Sequence, residues 1–338
     1  MNRKQKVALI ARVVVLGATV VVALAAIEVA ARIIYSRPSM HFGIEMWKYA
    51  RSVKMPADNE ALSHRHQPGA QAFLMGAEVK INSLGLRDRE IAATKPAGTY
   101  RVVVLGDSTT FGWGVPQDAV YPKVIERAFN ENPPSAKWRR YEVLNTGVGN
   151  YNTAQEVASF KERWLALDPD LVLLCWYIND AEPTPRPSRN WLAYRSYGYV
   201  WITTNFDSLT RNVGAQRTYR DYYNSLYEPA QPGWRKCQDA IGELAALCGA
   251  RGIPLRLLLQ PELHTLPGSY EFEPLHTLVA EAGRAHGVPV LDLLPAFPGD
   301  GDPRRFWVSP EDAHPNAAAN DLMGRFIDAA ARRERWIE

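Results

Sequence analysis

Cysteine is scarce in this chain, with Cys175, Cys237 and Cys248 the only three in 338 residues. Cys237 and Cys248 fall in a stretch that reads as one helix, about 16 Å apart along its axis, beyond disulfide reach. Cys175 sits in an apolar run that reads as a buried strand. Three unpaired buried thiols are expected, with no disulfide framework. His64, His66, His264, His276 and His286 lack metal-ligand spacing beside acidic or cysteine partners, so no metal and no cofactor is expected. Charge of one sign is also lacking. A net +3 gives no basis for a nucleic-acid partner. No internal repeat is evident. What the chain does have is apolar and aromatic content: 46% of residues are hydrophobic, enough for a sizeable core, which argues against disorder.

One long apolar stretch stands apart at the N-terminus. Val13 to Ile27 is uncharged, and its 15 residues fall short of the roughly 20 that span a bilayer. Val7 to Ala11 extends it behind Arg12, and Val29 to Tyr35 extends it past Glu28 and Arg32. Charged side chains near the ends of a span can reach the interface. Residues 7–35 therefore read as a membrane contact, and residues 1–35 as an anchor. Arg3, Lys4, Lys6 and Arg12 precede the uncharged run, so the positive-inside bias keeps the N-terminus in the cytoplasm. The alternative is a cleaved signal peptide, since Ala23-Leu24-Ala25 resembles a cleavage site. Either way the domain is exported. The expectation is a single-pass protein of a bacterial inner membrane with its domain in the periplasm.

Residues 36–98 read as a linker with a few short strands near Ala72 to Ile81. From residue 99 the pattern changes. Short β-branched or leucine-rich runs at Arg101–Leu105, Tyr141–Asn145, Asp170–Trp176, Ile253–Leu259 and Val288–Leu293 alternate with helix-like stretches, the last from Ala317 to Arg335. Such alternation implies an α/β fold, a parallel sheet with helices on both faces and its chemistry at the C-terminal strand ends. Residues 181–233 interrupt the pattern. They hold Trp191, Trp201, seven tyrosines and arginines at 186, 189, 195, 211, 217 and 220. A stretch this long without clean periodicity is usually a functional insertion or lid, though an aromatic mini-core is the plainer reading.

Polar clusters close three of the strands: Gly106-Asp107-Ser108-Thr109-Thr110, Asn145 to Thr153, and Tyr177-Ile178-Asn179-Asp180. A fourth cluster, Ser309 to Asn316, precedes the last helix. Acyl transfer needs a serine with an adjacent base, usually a histidine oriented by a carboxylate, and fixed donors for the oxyanion. Ser108 supplies a nucleophile and its own N–H. The turn at 147–150 can supply another N–H, and Asn179 an amide. His314, with Asp312 or Glu311 beside it, supplies base and orienter.

The arrangement resembles the SGNH/GDSL hydrolase family. The likeness runs from Asn82-Ser-Leu-Gly-Leu-Arg87 through Val104-Leu-Gly-Asp-Ser-Thr-Thr-Phe-Gly-Trp-Gly-Val115 to His314-Pro-Asn316. It implies a three-layer α/β/α sandwich with a flavodoxin-like five-stranded parallel sheet. It also implies nucleophile Ser108, base His314, and oxyanion donors from Ser108, from Gly149 or Asn150, and from Asn179. Three positions depart from the family pattern. Tyr177 replaces the third-block glycine. Asn150 stands where the second-block glycine is usual. Asp312 lies two residues before His314 instead of three, with Glu311 in the third place. The Asp-x-His spacing is similar to that of relatives in polysaccharide acetylation, which favours Asp312 as orienter.

Three functions follow as alternatives. One is a serine esterase removing acyl groups, chiefly acetyl, from a cell-envelope or extracellular carbohydrate. Another is an O-acyltransferase acting on an exopolysaccharide with polysaccharide-synthesis or acyl-delivery partners. The last is a catalytically silent carbohydrate-binding component. Topology is testable directly. In intact spheroplasts an impermeant thiol reagent should label a cysteine introduced at position 60 and spare one at position 5. Protection at position 60 would overturn export.

Overall fold

The computed structural model describes residues 2–37, 39–184, 190–213, 218–266, 268 and 270–337. The chain opens with helix α1 (Arg3–Tyr35), whose Asn2 cap and Gln5 form a reciprocal capping box. At 33 residues it is about 50 Å long, and its apolar stretch is entirely exposed. It is long and apolar enough to cross a bilayer, as a retained signal sequence would also be.

Residues 36–98, read as linker and short strands, also contain a helix. α2 (Phe42–Ser52) is capped by His41 and buries Ile44, Glu45 and Tyr49. Two small antiparallel hairpins follow. β1 (Lys54–Pro56) pairs with β2 (His64–His66), and β3 (Gln71–Leu74) pairs with β4 (Ala77–Lys80).

The sandwich follows in strict alternation. β5 (Thr99–Leu105) leads into α3 (Ser108–Phe111) and α4 (Tyr121–Glu131). β6 (Arg140–Asn145) leads into α5 (Thr153–Ser159), which continues as a π turn at Phe160–Trp164. After β7 (Leu171–Trp176) come α6 (Trp191–Arg195), α7 (Tyr197–Val213), α8 (Tyr219–Leu226) and α9 (Pro232–Gly249). β8 (Leu255–Leu259), α10 (Glu273–Ala285) and β9 (Val290–Asp292) complete the sheet. A last hairpin, β10 (Trp307–Ser309) and β11 (Asp312–Pro315), precedes α11 (Ala317–Arg333).

The five central strands are all parallel, in the order β6-β5-β7-β8-β9. Their side chains alternate between two cores, as the two-residue period of a strand requires. Val103, Leu105, Val172, Leu174 and Leu257 face α5, α9 and α10. Val102, Val104, Leu171, Leu173 and Leu258 face α4 and α11. Each such side chain contributes roughly 1.5–3 kcal/mol by leaving water. Both faces are therefore covered, and the architecture is the expected α/β/α sandwich.

The insertion after β7 is helical. Its lack of one apolar stripe has a physical reason: α7 packs chiefly against α1 and α2. Arg186, Arg189 and Arg217 lie outside the described residues.

A buried ion pair braces the sheet at the opposite end from the polar clusters. Arg101 and Glu142 are register partners on β5 and β6, with Nη2 of Arg101 2.7 Å from Oε2 of Glu142 and both side chains out of solvent. Arg101 also donates to the carbonyls of Leu167 and Ala92, 2.8 and 3.0 Å away, which ties the chain before β5 to the sheet. Removing one partner strands a buried charge. Glu142→Leu should cost about 3–5 kcal/mol in urea unfolding, and Arg101→Met in the same chain should recover much of it.

Candidate active site

Ser108 is the first residue of α3, immediately after the C-terminal end of β5. Asp107 caps this short helix. Its Oδ1 accepts from the Thr109 N–H and hydroxyl, both at 2.8 Å. The chain can turn this tightly because two glycines let backbones approach. A Cβ on Gly106 would lie 2.0 Å from Thr110 Oγ1, and one on Gly147 would lie 2.3 Å from the Phe111 nitrogen. The second contact presses the loop after β6 against α3. Asn145 fastens it, donating to the Thr110 carbonyl at 2.8 Å and accepting from the Gly147 N–H.

His314 is on β11, 206 residues from Ser108, yet its Nε2 is 2.9 Å from Ser108 Oγ. On the other side of the ring, Nδ1 is 2.5 Å from Asp312 Oδ1. The carboxylate therefore accepts a hydrogen bond from Nδ1–H, which leaves Nε2 as acceptor for the serine hydroxyl. Asp312 is fixed in turn. Its Oδ2 accepts from Trp113 Nε1 at 3.0 Å, and its Oδ1 also accepts from the His314 N–H. Glu311 occupies an exposed turn. The structure thus brings Ser108, His314 and Asp312 into one hydrogen-bonded line. Of the two carboxylates, that of Asp312 lies against the ring.

The electrostatics follow this geometry. Burial opposes charge on His314, but the Asp312 carboxylate beside it outweighs burial, helped by Asp107 and Glu262. The imidazole pKa is raised above its ordinary 6.5. Burial likewise opposes charge on Asp312, and the imidazolium and its hydrogen bonds outweigh it, so that carboxyl titrates below its usual range. Two other carboxyls near the site go the opposite way. Burial first, then neighbouring carboxylates, pushes the pKa values of Asp180 and Glu156 well up.

Asn179 follows β7. Its Nδ2 donates to Asp107 Oδ2 at 2.9 Å, which leaves the second N–H of the amide for another acceptor. Asp180 accepts from the Thr153 hydroxyl at 2.8 Å and braces the loops.

In the second block the two candidate glycine-position donors differ. The Gly149 N–H already donates to Tyr49 Oη at 2.9 Å. Asn150 has a left-handed backbone, with φ at +66°. The preceding carbonyl, that of Gly149, accepts from Lys54 Nζ at 2.6 Å and from His64 Nε2 at 3.0 Å. Lys54 Nζ also donates to Asn150 Oδ1 at 2.8 Å. Hydrogen bonds to a peptide carbonyl polarise the whole unit, so the Asn150 N–H is the strengthened donor.

Several of these residues escaped sequence reasoning because they lie in the stretch read as linker. Tyr49 donates its own hydrogen bond to His66 Nε2 at 2.6 Å, and His66 Nδ1 donates to the Gly85 carbonyl. Burial, with the Lys54 charge next, pushes His64 and His66 down to about 3, so both rings are neutral. Burial pushes the Lys54 ammonium down to about 7. Phe42, at the start of α2, stacks on the His314 ring with centroids 5.8 Å apart. Arg87 holds α3 from behind, donating to the carbonyls of Phe111 at 2.8 Å and of Gly112 and Val115 at 2.5 Å. For α2 the only signal was Tyr49 and Val53, four residues apart, behind a His41 cap, with Glu45 interrupting the same face. None was present for the pairing of Lys54 with a loop almost a hundred residues away.

No curated protein matches the chain significantly. Among solved structures, a GDSL-like lipase from Bacteroides thetaiotaomicron is 18% identical, with 72% of this chain and 93% of that chain covered and a TM-score of 0.40. A catalytic mutant of an acetylxylan esterase from Geobacillus stearothermophilus is 13% identical, covering 68% and 92%, with a TM-score of 0.43. A two-domain esterase active on acetylated mannans is 15% identical, covering 70% and 49%, with a TM-score of 0.43. The sequence model of the GDSL-like lipase/acylhydrolase family matches residues 104–322, from the end of β5 into α11 and across every strand-end cluster described above. A match over that much of its length makes the chain a member of the GDSL-like lipase/acylhydrolase family, and so a serine hydrolase.

Proposed function

We propose that the chain is a serine esterase that removes acetyl or another short acyl group from a cell-envelope or extracellular carbohydrate through an acyl-Ser108 intermediate. The observation that carries this reading is the line from Ser108 Oγ through His314 to Asp312, at 2.9 and 2.5 Å. In the first step Ser108 Oγ bonds to the acyl carbon and its proton passes to His314 Nε2. Asp312 stabilises the imidazolium that forms. The oxyanion takes the Ser108 N–H, the Asn150 N–H and the second N–H of Asn179. The alcohol leaves with the proton from His314. A water then repeats the sequence on the ester of Ser108 and releases the acid. Phe42 and Trp113 lie against the His314 ring, which favours a small acyl group. The chain would work from a bacterial inner membrane, anchored by α1 with the domain in the periplasm.

One observation favours a transferase on the same serine. Ser108 is only 6% exposed and its base lies under Phe42, an arrangement that keeps water from an acyl-enzyme.

The full chain should hydrolyse p-nitrophenyl acetate, and Ser108→Ala and His314→Ala should each abolish turnover. Unchanged rates in either would overturn the assignment. With acetylated and unacetylated glycans, free acetate marks the esterase and acetyl on the glycan marks the transferase. The pH profile tests the base. His314 acts when neutral and its pKa is raised, so kcat/KM should fall on the acid side with a midpoint above 6.5. Asp312→Asn removes the attraction and leaves the burial, so that midpoint should move to lower pH. In the same variant kcat should drop by roughly 10⁴-fold.

A further inference from the structure

The described residues hold large apolar side chains in solvent in two main places. One is α1. The other is α6 with the first half of α7, where Trp191, Leu192, Tyr194, Trp201, Ile202 and Phe206 are exposed, Trp191 and Phe206 by more than 60%. Beyond these, only Met40, Phe42, Phe73, Tyr219 and Tyr222 among the described residues are exposed large hydrophobics. Packing explains the inner face of α7 but not this outer one. Val200 is buried, Thr204 packs against Gly43 of α2, and Tyr197 meets Trp47 edge to face at 4.6 Å. Ile202 and Phe206 are left on the far side, and Trp201, one turn from Tyr197, is half-exposed at the edge of the packed face.

The depth of this patch is fixed by a polar clip. Glu28 is the first charged residue after the uncharged run of α1, in the C-terminal part of the 7–35 stretch, where charged side chains reach the interface. Its Oε2 accepts from the Ser196 hydroxyl at 2.6 Å and from the Gly198 N–H at 2.8 Å. Arg32 pairs with Glu28 at 2.6 Å and donates to the Arg195 carbonyl at 2.9 Å. Gly198 approaches so closely that a Cβ there would lie 3.2 Å from the Glu28 backbone. The junction of α6 and α7 is thereby held level with the end of the membrane span. Tryptophan and tyrosine concentrate at that level, apolar body inward and polar tip toward headgroups. Arg195, over the Trp191 ring at 5.7 Å, adds a cation for anionic lipid.

We propose that α6 and the N-terminal half of α7 form a second membrane contact, lying in the interfacial layer of the bilayer that α1 crosses. The proposal rests on the reading of α1 as a retained anchor. It commits to lipid and not to a protein partner because the clip sets the patch at interfacial depth. Two contacts, one spanning and one lying flat, fix the domain's tilt, which a single helix leaves free. α2 packs on α7 and carries Phe42, so the cover of the catalytic histidine belongs to the same membrane-facing unit.

The test uses the full chain in vesicles of phosphatidylethanolamine and phosphatidylglycerol. Single cysteines are introduced at positions 21, 202, 206 and 325 and labelled under native conditions with an environment-sensitive fluorophore; the three native thiols are buried. Hydrolysis of a soluble ester checks that each labelled chain is folded. A doxyl quencher near the headgroup should quench positions 202 and 206, a doxyl quencher deep in the acyl chain should quench the α1 reference at 21, and both should leave 325 unaffected. If 21 is quenched while 202 and 206 behave like 325, the second contact is overturned and the anchor stands. If 21 is not quenched, the anchor reading itself fails and the proposal with it. If 202 and 206 are shielded from aqueous iodide yet untouched by doxyl lipid, the patch meets protein, and the proposal is again overturned.

Discussion

The carboxylate of Asp107 is the polar centre on which the site depends. It is completely buried, and each of its oxygens is used. Oδ1 caps α3 through Thr109, and Oδ2 receives the Asn179 amide from the end of β7. Thr109 in turn meets Gln260 at the end of β8. Three neighbouring strand ends are thus joined through one acceptor. Ser108 and Asn179 keep a fixed spacing because they share it. A buried carboxylate is costly unless fully bonded, so this arrangement resists partial rearrangement.

The second constraint comes from outside the sandwich. The peptide between Gly149 and Asn150 is held by Lys54 and His64, and the peptide before it by Tyr49, all from the segment before β5. Asn150 replaces a residue type that would adopt a left-handed backbone at no cost. The extra bonds to its side chain and to the preceding carbonyl offset that strain, which is of order 1 kcal/mol. The departure at Asn150 and the elaborate N-terminal segment are two halves of one solution. Trp113 and Asp312 form a similar pair: the shortened spacing before His314 works because an indole N–H steadies the second carboxylate oxygen.

Much of this was legible in the sequence. The five parallel strands and the clusters that hold Ser108 and Asn179 came from apolar runs ending in polar residues, and His314 from a polar cluster ahead of the last helix, all local signals. Asp312 was preferred over Glu311 by likeness, and its place against the ring depends on a hairpin of four and three residues, too short to read from pattern. Helix α2 was hidden because its buried side is narrow and includes Glu45. The helices of the insertion were hidden because they pack on other helices, so no stripe of one period survives. The roles of Lys54, His64 and Trp113 depend on contacts across 95, 85 and 199 residues, and no local rule reaches that far.

The stack of Phe42 on His314 bears on where the protein can be divided. Phe42 follows the end of α1 by only seven residues, and the supports of the second-block loop begin at Tyr49. The family-matched portion, taken alone, would keep every catalytic side chain yet lose the scaffold of one oxyanion donor and the cover of the base. The smallest unit that carries the complete chemistry begins ahead of α2, within a few residues of the end of α1.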